Sequence, residues 1–323
     1  MPLVSVIVPV RDRRELLRGL LEALDAQTFR DFELIVIDDG SVDGSAELAE
    51  SATVAGQPVR VLRQQGLGAV MARQRGVGVS SGQILAFTDS DCIPTPGWLE
   101  IGASNIDAGA SMVHGLTQPA RPMRPLERSI GAGKEGLFPT CNVFYTRSAF
   151  DAVGGFDQEA ARRLGFRVNG RARGLGFGED TMLGWRVART GAEVRHVPEA
   201  LVHHHVFPRD MRDWISRSWQ AAAFPALVAE VPELRRTLVR RKLLLGERNR
   251  VPLYATAAAL VAGRPRLAAI GVAWWAYTRW RDMRAAPAPM REKVVALPQE
   301  MAIDAVTAAA LVVGTLRDGT IAL

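Results

Sequence analysis

The sequence predicts an α/β protein built on a doubly wound, mostly parallel sheet, followed by a helical C-terminal region. Strand and helix patterns alternate as β-α-β-α-β-α-β through roughly the first 90 residues, with the short connections from which parallel sheets are built. The strand patterns are continuous apolar runs, which are typical of strands buried on both faces. Acidic residues follow several of these runs, and ligands commonly bind at the carboxyl edge of such a sheet.

The first half of the chain carries four strand patterns with helix patterns between them. The predicted strands span residues 4–8, 32–37, 59–62 and 84–87. The predicted helices span residues 13–26, a short segment ending near residue 51, and residues 68–79. Asp12 is the expected N-cap of the first helix, and Asp43 or Ser45 that of the second.

The turn after the first strand lacks the glycine-rich loop of the common nucleotide-binding folds. Residues 9–12 are Pro-Val-Arg-Asp, and neither Gly-x-Gly-x-x-Gly nor a Walker Gly-Lys-Ser/Thr loop is present. This disfavours a dinucleotide-dependent dehydrogenase. A bound nucleotide would have to be held by acidic side chains and the main chain.

The fourth predicted strand ends at Asp89-Ser90-Asp91, and Pro94 and Pro96 prevent its continuation. Two carboxylates this close repel each other unless a cation lies between them. Oxygen ligands favour Mg²⁺ or Mn²⁺, ions that bind substrate diphosphates. An isolated Asp-x-Asp is more typical of a turn that caps the following helix, so the choice between a turn and a metal site depends on the other segments.

The middle of the chain continues the strand and helix patterns and adds a second acidic pair. We predict a helix over residues 97–107, strands over 111–117 and 140–145, and surface loops over 118–139 and 161–178. Glu179 and Asp180 precede a helix pattern over residues 181–190. The helix dipole stabilises carboxylates there, so capping is the alternative to a functional role.

Three consecutive histidines, His203 to His205, lie in the second of two strands predicted over residues 194–196 and 200–206. Side chains alternate along a strand, so either His204 alone or His203 with His205 faces one side. Imidazole is a good third ligand for a divalent ion. The histidines that point the other way are expected to be structural.

The composition is that of a globular protein, and the net charge limits the classes of partner to be expected. The residues are 48% hydrophobic and 23% charged. A chain of 323 residues is long enough for one large domain or two smaller ones. The two cysteines, Cys92 and Cys141, form no disulfide framework, and no secretion signal precedes the first strand, so we expect a cytoplasmic protein. The net charge of +6 favours anionic partners, but no basic run is interleaved with aromatics, so nucleic acid is not expected.

The C-terminal region changes character after an amphipathic helix predicted over residues 210–228. Residues 235–250 are strongly basic, and the apolar runs 254–262 and 267–277 are each shorter than the ~20 residues of a spanning helix. Aromatic residues beside arginines, such as Trp274 and Arg281, are typical of an interfacial helix. We expect this region to contact either a membrane surface or another protein, with a last helix over residues 303–316.

Taken together, the ordered motifs resemble the inverting family-2 glycosyltransferases of the GT-A fold. The similarity covers roughly residues 3–220. The matching segments are residues 4–9, residues 36–45, residues 72–76, Asp89-Ser90-Asp91, Asn142, residues 154–157, residues 178–180 and His204. The resemblance implies a catalytic domain over residues 1–230 and a helical, basic and apolar region over residues 231–323.

The resemblance also implies a donor site at the carboxyl edge of the sheet. Pro9 and Asp12 would line the base pocket, and Asp39 would accept a hydrogen bond from the base. Arg73 would belong to the same nucleotide-binding set. Asp89 would meet the ribose or the water shell of the metal.

The chemistry that the resemblance implies is assigned to four residues. Asp91 and His204 would bind Mn²⁺ or Mg²⁺ and bridge it to the donor diphosphate. Asp180 would be the general base that deprotonates the acceptor hydroxyl, and Glu179 would orient the acceptor. Arginines within residues 162–173 would form a lid ordered by the donor.

The implied activity is the metal-dependent transfer of one sugar from a nucleotide-sugar donor, with UDP favoured, to a saccharide or lipid-linked acceptor. Gln74 stands where family members often have Asn, so contacts near the nucleotide are expected to differ. The Gln-x-x-Arg-Trp motif of processive synthases is absent and no long transmembrane segments flank the domain, which favours a single hexose transfer. We expect a cytoplasmic enzyme, peripheral at the inner face of the cell membrane. A sugar nucleotidyltransferase and a non-catalytic membrane-associated scaffold are the alternatives.

Overall fold

The computed structural model describes residues 3–133, 136–164, 178–208, 210–237, 239–240, 244–245 and 250–322. The chain divides into two compact units. The first consists of Met1–Ala120 and Ile130–His205, and the second of Arg121–Ser129 and Val206–Leu323. From the sequence, the catalytic domain is predicted to end at residue 230. This boundary concerns the residues needed for catalysis, and it stays a prediction.

The first unit alternates strands and helices as the sequence predicts. Its elements in chain order are β1 (Val4–Val10), α1 (Arg14–Asp25), β2 (Phe32–Asp38), α2 (Ser45–Glu50), β3 (Thr53–Val54), β4 (Gln57–Pro58), β5 (Arg60–Arg63), α3 (Ala69–Val79), β6 (Ile84–Phe87), β7 (Cys92–Pro94), α4 (Trp98–Asp107), β8 (Met112–Pro119), β9 (Val143–Thr146), α5 (Arg147–Ala152), α6 (Gln158–Leu164), α7 (Glu179–Arg189) and β10 (Val194–His204).

One mostly parallel sheet organises this unit. Its eight strands lie in the order β5-β2-β1-β6-β9-β8-β10-β7. Strands β5, β2, β1 and β6 are parallel, as are β8 and β10, whereas β9 and β7 run antiparallel to their neighbours. The carboxyl ends of β1, β2 and β6 therefore meet at one edge, where the acidic motifs follow them.

The sheet is covered on both faces because its central strands are apolar throughout. All seven residues of β1 are buried. Val6 and Val8 belong to the core on one face, together with Leu17 and Trp98. Ile7 belongs to the core on the opposite face. Alternation of side chains thus places successive residues of one strand in two separate cores.

Several predicted elements differ from the structure. The two strands expected between residues 194 and 206 are one strand, β10, with a register shift between Val197 and Leu201. The first residues of the loop expected over 161–178 belong instead to α6, which continues to Leu164. Residues 165–177, with most of the expected arginine lid, lie outside the described residues.

Asp12 does not cap the first helix, contrary to the sequence prediction. Arg13 occupies the N-cap position and makes no side-chain cap hydrogen bond. The backbone of Asp12 has a φ of +48°, and its carboxylate instead accepts a hydrogen bond from the Val42 N–H. The requirement to join two neighbouring loops therefore overrides the local capping preference.

The second unit is largely helical. Its elements are α8 (Met211–Gln220), a 3₁₀ turn (Ala221–Ala223), α9 (Phe224–Glu230), α10 (Leu234–Thr237), β11 (Val239–Arg240), β12 (Leu244–Leu245), α11 (Arg250–Val261), α12 (Pro265–Met283) and α13 (Met290–Asp318). The expected helix over residues 210–228 is broken by the 3₁₀ turn, and the last helix has 29 residues rather than the predicted segment 303–316.

We predict that Gly76→Ala destabilises the fold, although alanine normally favours a helix. A Cβ at Gly76 would lie 2.6 Å from Ile7 Cγ2 and 2.7 Å from Ile37 Cδ1, both in the core. Such overpacking should lower the free energy of unfolding by about 1–3 kcal/mol, measured by urea denaturation. Gly78→Ala in the same helix is the matched control, because its Cβ would meet nothing within 4 Å. It should stabilise by about 0.5–1 kcal/mol, and an equal effect of both changes would contradict the packing argument.

Candidate active site

A buried arginine lies at the centre of the acidic residues. Arg73 projects from α3 and is 5% exposed. Its Nη2 donates a hydrogen bond of 2.6 Å to Asp89 Oδ1, and its Nη1 lies 3.8 Å from Glu179 Oε1. The guanidinium therefore connects the Asp-x-Asp motif after β6 with the acidic pair at the start of α7, residues more than 80 positions apart in the chain.

The charge of Arg73 is retained despite its burial. Burial alone would lower the pKa of the guanidinium, but the carboxylates of Asp89 and Glu179 outweigh this effect and raise it. A buried charge of this kind is tolerated only when paired and hydrogen-bonded. Arg73 is thus a permanent positive charge in the site.

Asp39, at the end of β2, fixes the loop that leads into α3. Its Oδ1 accepts hydrogen bonds from Gln64 Nε2 at 2.8 Å and from the Leu67 N–H at 2.7 Å, and its Oδ2 accepts one from the Gly68 N–H at 2.9 Å. Arg11 Nη1 lies 3.8 Å from the same carboxylate. Each carboxylate oxygen has two lone pairs, so Oδ2 keeps capacity for one further donor.

Pro9 and Asp12 lie beside this loop, at the end of β1. Pro9 is buried and pairs in register with Ile37 of the neighbouring strand. The main chain of Asp12 donates a hydrogen bond of 3.0 Å to Ser41 Oγ. The loops after β1 and β2 are thereby joined next to Asp39. The predicted contacts of Pro9, Asp12 and Asp39 with a nucleotide base stay predictions.

Asp91 and His204 face each other because β7 turns back along β10. Cys92, the residue after Asp91, pairs in register with His204. His204 Nε2 lies 3.5 Å from Asp91 Oδ1, and His204 Nδ1 donates a hydrogen bond of 2.9 Å to the carbonyl oxygen of His205. In the neutral ring this leaves the Nε2 lone pair directed at the carboxylate, the tautomer that a metal ligand needs.

A nearby cation would stabilise the charged form of the Asp91 carboxylate. Burial, together with the charge of Asp89, raises its pKa above the ordinary value, and His204 and Arg13 offset only part of the rise. A divalent ion between Asp91 and His204 would remove the repulsion. Carboxylate oxygen and imidazole nitrogen suit Mn²⁺, and the carboxylate suits Mg²⁺, so the donor set fits the ion that the sequence analysis expects.

Cys92 is a neighbour of this pair that the sequence analysis did not assign. Its Sγ lies 4.0 Å from Asp91 Oδ1, and the ligand atoms of Asp91, Cys92 and His204 all lie within 4.8 Å of one another. A hydrogen bond with Cys141, together with burial, raises the pKa of the Cys92 thiol well above its usual range. A protonated thiol is a poor ligand for a hard cation, so oxygen and imidazole remain the main donors.

Asp180 lies in the first turn of α7, after Gly178 in a left-handed conformation. It is half-buried, and its Oδ1 accepts a hydrogen bond of 2.7 Å from the Thr181 N–H. Burial, together with the neighbouring charge of Glu179, raises the pKa of Asp180 to about 7, and the Thr181 hydrogen bond and Arg73 offset part of the rise. A carboxyl group that titrates near neutrality can accept a proton from a substrate and release it again.

Two polar residues of the sequence motifs are structural. Asn142 accepts a hydrogen bond from Trp98 Nε1 at 2.8 Å and donates to the carbonyl oxygens of Leu116 and Ala200 at 3.0 and 2.8 Å. Gln74 Oε1 accepts a hydrogen bond of 3.3 Å from the Phe156 N–H. These bonds join neighbouring elements of the first unit and account for the polar character of both residues.

Residues 5–155 match the family model described as Glycosyl transferase family 2. Glycosyltransferase AglE of Haloferax volcanii is 32% identical over 171 residues, 48% of this chain and 56% of AglE. The pre-mycofactocin glycosyltransferase of Mycobacterium tuberculosis is 30% identical over 235 residues, 66% of this chain and 45% of the relative. The putative glycosyltransferase EpsH of Bacillus subtilis is 29% identical over 225 residues, 64% of this chain and 61% of EpsH. The chain therefore spans about half the length of these relatives.

Solved structures confirm the GT-A fold predicted from the sequence. The mannosyltransferase PcManGT from Pyrobaculum calidifontis, in complex with GDP-Man and Mn²⁺, has a TM-score of 0.57 at 16% identity and covers 98% of this chain and 87% of that chain. Staphylococcus aureus TarS 1–349, in complex with UDP-GlcNAc, has a TM-score of 0.51 at 15% identity and covers 98% and 92%.

We predict that His204→Ala weakens Mn²⁺ binding by about 10–100-fold, because it removes one of the two facing ligands. Binding is measured by isothermal titration calorimetry on the protein without nucleotide. His203→Ala is the matched control, since alternation along β10 directs His203 to the other side of the strand. Equal Mn²⁺ affinity of both variants and the wild type would contradict a metal site at Asp91 and His204.

Proposed function

We propose, because residues 5–155 match the family model described as Glycosyl transferase family 2, that this chain transfers one hexose from a nucleoside-diphosphate sugar to an acceptor hydroxyl, with inversion. The family match and the glycosyltransferase relatives support sugar transfer. The observation that carries the mechanism is the carboxyl group of Asp180, whose pKa is raised to about 7 within the site that Arg73 connects to Asp89.

Asp180 acts as the general base in this proposal. Its carboxylate accepts the proton of the acceptor hydroxyl as that oxygen attacks the anomeric carbon. The bond from the anomeric carbon to the diphosphate oxygen breaks in the same displacement, so the configuration inverts and the nucleoside diphosphate leaves. Glu179 lies beside the proposed base and orients the acceptor. Its Oε1 is 3.8 Å from Arg73 Nη1.

Asp91 and His204 would hold Mn²⁺ or Mg²⁺, with Asp89 at the ribose or in the water shell of the ion. The ion supplies positive charge that stabilises the developing charge on the leaving diphosphate. Two observations support this choice: His204 Nε2 lies 3.5 Å from Asp91 Oδ1 while Nδ1 faces the His205 carbonyl oxygen, and PcManGT was solved with Mn²⁺. Arg73 holds Asp89 in place through its hydrogen bond.

We assign the donor base to the loops after β1 and β2, with Pro9, Asp12 and Asp39 at the base pocket. We favour UDP as the nucleotide. The two solved neighbours bind GDP-Man and UDP-GlcNAc, which supports a nucleoside-diphosphate sugar as the donor class. The relatives named above are glycosyltransferases, which supports sugar transfer over the two alternative functions.

The acceptor is proposed to be a saccharide or a lipid-linked molecule, and the protein to act in the cytoplasm, peripheral at the inner face of the cell membrane. The second unit would supply the membrane contact. Among the described helices, α13 is long and apolar enough to cross a membrane by length and composition, with 39% of its apolar window buried. The core helix of a soluble protein passes the same test, so we propose surface contact rather than a span.

We predict that Asp180→Asn lowers kcat by about 10²–10⁴-fold, because amide nitrogen and oxygen cannot accept the acceptor proton. Donor binding should change little, since Asp180 makes no proposed contact with the nucleotide. Release of nucleoside diphosphate and calorimetry with UDP- and GDP-sugars measure the two quantities. Asp107→Asn, an exposed carboxylate at the end of α4, is the control. Turnover in Asp180→Asn at the wild-type rate would rule out this base.

The raised pKa of Asp180 also predicts a pH profile. The base works only when deprotonated, so kcat/KM should fall about tenfold per pH unit below pH 7 and level off above it. Initial rates over a pH series, at donor concentrations well below KM, measure the profile. An activity that stays constant down to pH 5 would show that no group with this pKa takes the proton.

A further inference from the structure

Helix α12 exposes a stripe of large apolar side chains to the outside of the second unit. Leu267, Ile270, Trp274 and Tyr277 recur at helical spacing, and each is between 48% and 68% exposed. The opposite face of the same helix is buried, with Trp275 at 1%. A helix on the surface of a soluble protein normally presents polar residues on the outward face, so this stripe needs an apolar partner.

The turn between α11 and α12 extends the stripe. Leu260 is 59% and Val261 91% exposed at the end of α11, and Gly263 makes the turn with a φ of +65°. The two helices pack closely, because a Cβ at Gly271 would lie 2.2 Å from Thr256 Oγ1. The hairpin formed by α11 and α12 is therefore compact, and the apolar residues at its turn are exposed.

The exposed charges at the turn end of the stripe are positive. Residues 250–281 contain five arginines and no aspartate or glutamate. Arg264 and Arg266 are exposed at the turn, whereas Arg281, at the other end of the stripe, pairs with Asp282 at 3.2 Å. Apolar side chains, tryptophan and tyrosine among arginines match the layers of an anionic lipid surface, where acyl chains lie beneath phosphate groups.

The buried face of α12 is held by polar contacts with α13. Arg279 pairs with Glu300 and with Asp304, and Trp275 Nε1 donates a hydrogen bond of 3.0 Å to Asp304 Oδ2. These acids of α13 are therefore engaged on the inward side of α12. The arrangement fixes the rotation of α12 and keeps the apolar stripe outward.

We propose that the stripe Leu267, Ile270, Trp274 and Tyr277, with the turn that carries Arg264 and Arg266, lies in the interfacial layer of an anionic lipid leaflet. The helix axis lies along the membrane surface, the arginines contact lipid phosphates, and the apolar side chains enter the acyl boundary. This specifies the membrane contact of the proposed function. Lipid binding needs neither donor nor metal, so it is tested separately from sugar transfer.

The test is co-sedimentation of the full chain with vesicles of phosphatidylglycerol and phosphatidylcholine, compared with vesicles of phosphatidylcholine alone. We expect binding to the anionic vesicles that weakens with salt. Ile270→Ser with Trp274→Ser should weaken binding at least about tenfold, by loss of apolar burial. Arg264→Ser with Arg266→Ser should weaken it about 25-fold, the equivalent of ~1 kcal/mol per arginine.

Matched controls come from α8 of the same unit. Ile215→Ser removes an apolar side chain that is 42% exposed, and Arg212→Ser removes an exposed charge. Both controls should bind vesicles like the wild type, and thermal unfolding should confirm that every variant is folded. Equal binding of all variants, or no binding by the wild type, would overturn the proposal. A wild-type dimer without lipid that Ile270→Ser with Trp274→Ser dissociates would make a second copy the occupant and overturn it equally.

Discussion

The positive charge of Arg73 is the constraint on which the candidate site depends. Three carboxylates, Asp89, Glu179 and Asp180, lie within its electrostatic reach, and the arginine itself is buried. Without this cation the acids would repel one another in a partly dry environment, and they would protonate or move apart. Lysine could not replace it, because two different guanidinium nitrogens face Asp89 and Glu179 and an ammonium group has no such fork.

The sheet brings these groups together through its strand order. Strands β2, β1 and β6 are neighbours and parallel, so the residues that follow them share one edge. Asp39 then fixes the start of α3 by accepting the N–H groups of Leu67 and Gly68, and this sets the position from which Arg73 enters the site. A residue expected to meet a ligand thus also has a structural function in orienting the helix.

The sequence predicts β1, β2 and β6 well because their apolar runs are unbroken. It also predicts which strand ends carry acids. It does not predict that Asp39 is already hydrogen-bonded by its own chain, or that Cys92 lies next to Asp91 and His204, because both depend on long-range pairing between loops and strands. The full length of α13 was missed for another reason. Pro298 interrupts the helical pattern in the sequence, whereas packing against neighbouring helices sustains the helix around it.

The pKa of Asp180 links the buried arginine to the chemistry without direct contact with a substrate. Burial and Glu179 raise this pKa, and Arg73 lowers it, so the value near 7 is a balance between opposing influences. A weaker cation at position 73 would shift the balance upward and leave the base protonated at neutral pH. A stronger attraction would lower the pKa and make the carboxylate a weaker proton acceptor. The same side chain that makes the acidic cluster tolerable therefore also influences the pH range in which Asp180 could act as the proposed base.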